Sequence, residues 1–127
     1  MKIEKQVCNL KLATELAVLG IKQISYFYWG INSYNTKVIE LTPTPDDRDI
    51  VYSAFTVAEL GEMITSTLIG STFWLRNFHA MNLQLLRGNE KENFRGETEA
   101  DCRAMLLIYL IKSNPLIVKD INDCVVS

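Results

Sequence analysis

The sequence is poor in the residues from which most catalytic and metal sites are built. Among its 127 residues there is one histidine, His79, and there are three cysteines, Cys8, Cys102 and Cys124. Three widely spaced thiols, odd in number and without a Cys-x-x-Cys pair, suggest neither a disulfide framework nor a zinc ribbon, and a single imidazole leaves a Cys/His zinc site short of ligands. Reduced, mostly buried thiols are expected, with no metal and no cofactor. An excess of one charge is missing as well: 13 Lys plus Arg stand against 15 Asp plus Glu, interspersed along the chain, for a net charge of -2. Duplex nucleic acid, whose binding is driven by neutralising phosphates, is therefore a disfavoured partner. The longest apolar-rich run, Met105 to Ile111, is far short of a bilayer span, and the opening MKIEKQVCNLK lacks the apolar block of a secretory signal. The expectation is a cytoplasmic protein without membrane contact. Gly-x-x-x-x-Gly-Lys, Gly-x-Gly-x-x-Gly and Gly-x-Ser-x-Gly are absent from the chain, which removes the common nucleotide and hydrolase motifs.

What is present is the pattern of one α+β domain over residues 1–127. A chain this long buries roughly two thirds of its unfolded surface, enough for an ordinary core. Asn9 can cap a helix whose apolar positions Leu12, Ala13, Leu16, Ala17 and Leu19 recur at helical spacing, with Gly20 as its left-handed exit. QISYFYWGI, rich in aromatic and β-branched residues, and KVIEL, joined by INSYNTK, form a hairpin pattern. TPTPDDRD is a loop, because proline removes ladder donors and aspartate prefers turns. IVYSAF adds a short strand or leads straight into the next helix.

Thr56 and Glu59 have the spacing of a capping box, with Phe55 placed to staple onto Leu60, so a short helix is expected from Val57 to about Ile64. STFWLRNF and AMNLQLLR form a second hairpin turning near His79, and GNEKENFRGE reads as a polar loop. Thr98 and Asp101 repeat the capping-box spacing ahead of a long helix, and Glu97, Glu99 and Asp101 all fall where helix amides and the positive dipole end favour carboxylates. That helix is apolar on most of its circumference, which calls for cover on several sides, by the sheet and by another subunit. Asn114 and Pro115 stop it. The tail IVKDINDCVVS has no assigned element. The resulting order is α-β-β-α-β-β-α, an antiparallel sheet of about four strands (two hairpins) with helices packed on one face.

Few side chains suggest chemistry. Asp46, Asp47 and Asp49 lack the glycine and closing glutamate of a calcium loop. Cys102 follows a capping motif with no histidine near it in sequence to act as a base. No catalytic residue is assigned. The aromatic run Tyr26-Phe27-Tyr28-Trp29 is more informative, because a strand sends alternate residues to opposite faces. Either Tyr26 with Tyr28 or Phe27 with Trp29 then lies away from the helices, and the second hairpin can set Trp74 and Arg76 beside that pair. With Arg87 nearby, Tyr26, Tyr28, Trp29, Trp74, Arg76 and Arg87 form the candidate ligand-binding set, able to stack a base and pair a phosphate. Core or subunit-interface packing is the competing use of such aromatics.

At AFTVAELGEMI, Ala54 to Ile64, and at TEADCRAMLLIYLI, Thr98 to Ile111, the sequence resembles small phage and prophage proteins of gut bacteria, which carry AFT-x-x-ELGEM and EADARAKMLIYLI-like segments. The likeness runs from about Leu10 to Ile111, and this chain has Cys102 where such proteins have alanine. The resemblance implies phage context, an intracellular setting and an accessory role, and brings with it no activity or site residue. The expected function is a non-enzymatic binding module, homo-oligomeric, that engages a host protein or sequesters a small anionic, nucleotide-like ligand. The alternative is an enzyme acting on a nucleotide or phosphoester through His79 and loop carboxylates.

Overall fold

The computed structural model describes residues 3–32, 35–42, 50–68, 74–79, 82–87 and 90–125. Asn9 caps the first helix, α1 (Leu10–Val18), its side-chain oxygen accepting from the Leu12 amide at 2.9 Å. Gly20 ends the turn that follows with φ +99°, where a side chain would be strained. Strand β1 (Tyr28–Asn32) pairs antiparallel on one side with β2 (Asn35–Thr42) and on the other with β3 (Ile50–Ser53), giving the order β2-β1-β3.

Helix α2 (Val57–Leu68) opens with the expected reciprocal box: the Thr56 amide donates to Glu59 Oε1 at 3.0 Å and the Glu59 amide to Thr56 Oγ1 at 3.2 Å. Phe55 and Leu60 are both fully buried in the same core. The helix runs four residues beyond Ile64. Thr65, Ser66 and Thr67, which favour turns when their hydroxyls compete for backbone, instead donate back to the carbonyls of Gly61, Met63 and Ile64 at 2.7–2.8 Å.

A second antiparallel sheet follows, β4 (Trp74–His79), β5 (Asn82–Arg87) and β6 (Glu90–Arg95), in chain order. The protein is α+β, but among the described residues two three-stranded sheets stand in place of the expected sheet of about four strands. The polar stretch read as a loop supplies β6: at the edge of its sheet it pairs with β5 and exposes Glu92, Asn93 and Arg95, while Phe94 is buried. After Gly96, Thr98 caps α3 (Glu99–Ser113), accepting from the Asp101 amide at 3.1 Å. The tail forms α4 (Ile117–Cys124), with Ile121 fully buried and Ile117 and Val118 packed against the core.

Helix α3 is the centre of the molecule. It touches α1, α2, β5 and β6, and α2 also contacts α4. Leu106, Leu107 and Ile111 are sealed from solvent. Much of its apolar circumference is thus covered within the chain. Arg103 fastens α3 to α2: Nη1 donates to the Val57 carbonyl at 3.0 Å, Nη2 pairs with Glu99 at 3.1 Å, and the guanidinium lies where a Cβ on Gly61 would stand. Among the described residues no helix is long and apolar enough to cross a membrane.

Because Leu107 is fully enclosed, Leu107→Ala is expected to lower the urea-extrapolated unfolding free energy by about 2–5 kcal/mol. Val18→Ala, at a position 79% exposed, should change it by less than about 0.5 kcal/mol.

Candidate functional site

Two helix starts meet at Asp101. Its amide is taken by the Thr98 cap, and its carboxylate, instead of reaching back to the Thr98 amide, accepts from the Asn9 amide at 2.8 Å. The long α3 box is therefore half a capping box and half a tie to the cap of α1. β6 enters the same junction. The Gly96 amide donates to Cys102 Sγ at 3.0 Å, and a Cβ on Gly96 would come within 2.7 Å of Asp101 Cβ and 2.9 Å of the Cys102 amide nitrogen. Only glycine lets the strand pass so close. Burial pushes the Asp101 carboxyl above its ordinary value, against the stabilising bonds from Asn9 and Thr98.

This junction floors one end of a groove of about 570 Å³ between α1, α3 and the end of β6. Leu12, Phe94, Met105, Ile108 and Tyr109 supply the apolar surface. Phe94 and Tyr109 form a tilted aromatic pair, with centroids 5.4 Å apart and planes at 60°. Phe94 is buried, whereas Tyr109, Met105 and Leu12 are half-buried and face the space. Lys11, Arg95 and Lys112 line it together with Glu15, Glu97 and Asp101. Lys112 Nζ reaches Glu15 Oε1 at 2.7 Å, closing α1 onto α3. With Lys112 paired and Asp101 engaged at Asn9, Lys11 and Arg95 are the cations left to meet an anion in the groove.

Cys8 and Cys102 are buried, whereas Cys124 is exposed. Cys8 is sealed from solvent and its pKa is pushed up to about 12, chiefly by burial. Burial likewise raises the Cys102 thiol. Both are poor nucleophiles in this state. Among the described residues no group of three or more His, Cys, Asp or Glu is arranged to hold a metal ion.

The aromatic run does not behave as one strand. β1 begins only at Tyr28, so Tyr26 and Phe27 precede the pleat and the expected alternation does not apply to them. Tyr26 is 70% exposed while Tyr28 is buried, its hydroxyl accepting from the Ser25 amide at 3.2 Å. Trp29 is half-buried against the core, and its indole N–H donates to the Cys8 carbonyl at 2.9 Å. Trp74 and Arg76 lie on β4 and Arg87 ends β5, in the other sheet from Tyr28 and Trp29. Trp74 pairs with Leu86, so Arg87 holds the alternate register position. Those three side chains are outside the described part of the structure. His79 ends β4, paired in register with Asn82; Asp46, Asp47 and Asp49, its proposed carboxylate partners, lie outside the described residues.

Sequence reasoning passed over Phe94, Tyr109, Lys11 and Arg95. The one available signal was the i, i+4 spacing of Met105 and Tyr109, half-buried beside a fully buried stripe. Comparisons with family models, with curated proteins and with solved structures gave no match.

Asp101→Ala removes the acceptor of the Asn9 amide and is expected to cost about 1–3 kcal/mol of stability; Asp101→Asn keeps one acceptor and should cost less. Since the folded carboxyl holds its proton to higher pH than the unfolded one, its unfavourable contribution is absent below the unfolded-state value and grows as pH rises through the raised folded value. Urea midpoints measured across and above the ordinary carboxylate range should therefore depend less on pH in Asp101→Asn than in the parent.

Proposed function

We propose that the protein is a non-enzymatic binding module, a small phage or prophage accessory protein acting in the host cytoplasm. It sequesters a small ligand that has an aromatic or apolar body and an anionic group, of the nucleotide class. The observation that carries this reading is the groove between α1, α3 and β6. It offers half-buried Tyr109, Met105 and Leu12 as a packing surface and Lys11 and Arg95 beside them. A volume of about 570 Å³ suits a ligand of that size. The tie between Asp101 and Asn9 holds the two helices that form its walls, so the groove is largely preformed and binding costs little ordering. The raised thiols of Cys8 and Cys102 agree with capture rather than covalent chemistry.

Titration calorimetry with a nucleoside monophosphate, its nucleoside and inorganic phosphate tests this. The nucleotide should bind more tightly than either fragment. Tyr109→Ala and Arg95→Ala should each weaken it about tenfold, with the fold retained by circular dichroism. Failure of every nucleotide in a panel to bind, or unchanged affinity in Tyr109→Ala, would overturn the proposal.

A further inference from the structure

A second concavity lies away from the groove, between the segment leading to β1, the first two turns of α2 and the end of α4. Its volume is about 220 Å³, and Ile24, Tyr26, Glu59, Glu62, Met63 and Val125 form its principal walls. Among the described residues that line it, none is basic. Glu59 and Glu62 stand one turn apart on α2, so their carboxylates share a face. Glu59 is held in place through Oε1, which accepts from the Thr56 amide at 3.0 Å. That is a hydrogen bond without a compensating cation. Glu62 is exposed and forms no ion pair among the described residues.

Tyr26 is the second element. It is 70% exposed at the mouth of the cleft. An exposed tyrosine beside a pocket is the kind of anchor that protein interfaces favour. Met63, Ile24 and Val125 give the interior an apolar lining suited to an alkyl stem. An aromatic ring, two carboxylates and an apolar throat together match a guanidinium on a flexible chain. The planar cation can take carboxylate oxygens side-on and lie against the ring, while its methylenes fill the throat.

We infer that this cleft is a recognition pocket for an arginine side chain of a partner polypeptide. The pocket is independent of the groove, and either stands if the other fails. The volume accommodates one long side chain rather than a folded ligand, and the projecting Tyr26 provides contact for the flanking peptide.

The test uses the full chain and two blocked tripeptides, acetyl-Gly-Arg-Gly-amide and its citrulline counterpart, which keeps shape and hydrogen-bonding groups but not charge. Binding is followed by NMR shifts of the Met63 methyl and the Tyr26 ring. The arginine peptide should shift both resonances saturably, with the citrulline peptide at least about tenfold weaker. Glu62→Gln and Tyr26→Ala, both at exposed positions that carry no capping bond through their side chains, should each weaken the arginine peptide about tenfold. Glu92→Gln changes net charge equally from the second sheet and should leave affinity within about twofold. Equal binding of the citrulline peptide would overturn the inference, as would a Glu92→Gln loss matching that of Glu62→Gln, which would signify diffuse attraction. Agmatine binding as tightly as the arginine peptide would overturn the assignment to a polypeptide.

Discussion

The bond between the Asp101 carboxylate and the Asn9 amide is the constraint from which the remaining geometry follows. A carboxylate at a helix start is stabilised by free amides and by the dipole of its own helix. Here it also serves the residue that caps a second helix, 92 positions away in sequence. One side chain thereby fixes where α1 begins relative to α3. Gly96 must then slip past Asp101 with no room for a methyl group, which sets where β6 ends. The Cys102 thiol, at the same point, receives the Gly96 amide that would otherwise be left without an acceptor. Helix, helix and strand are placed by a handful of atoms, and the groove is the space left between them.

Much of this was legible in the chain. Asn9, Thr56 with Glu59, Thr98 and Gly20 announced their helix ends correctly, because caps are local chemistry and need no knowledge of the fold. The two hairpins were visible for a related reason, since aromatic and β-branched runs broken by polar connectors specify pairing over short separations. Where the reading failed, the deciding contact was distant. Asp101 had the spacing of a capping box and spent its carboxylate elsewhere. β6 carries the polarity of a loop because it is an edge strand in which Glu92, Asn93 and Arg95 are exposed around the buried Phe94. Tyr26 reads as strand by composition, but β1 begins only at Tyr28 and Tyr26 stays exposed ahead of it.

The long apolar helix shows how far local periodicity reaches. Its circumference did need cover on several sides, and periodicity gave no means of telling another subunit from other parts of the same chain. α1, α2, β5 and β6 supply that cover. The two concave surfaces were invisible for the same reason: each needs segments distant in sequence, α1 against β6 and α3 in the groove, and the approach to β1 against α2 and α4 in the cleft. They differ in character: among the described residues the groove carries charges of both signs, whereas the charged residues of the cleft are the carboxylates Glu59 and Glu62.

The clasp at the opposite end of α1 bears on what keeps that helix formed. The Asn122 side chain accepts from the Lys22 amide at 2.7 Å and donates to the Gly20 carbonyl at 3.0 Å, across separations of 100 and 102 residues. A nine-residue helix is marginal in water on its own, and both ends of α1 are held by side chains 92 to 102 positions away. The segment just before it is tied to the middle of the chain as well, the Cys8 amide donating to the Phe55 carbonyl at 3.0 Å and the Trp29 indole to the Cys8 carbonyl at 2.9 Å. The first helix thus draws its support from contacts distant in sequence rather than from its own propensity.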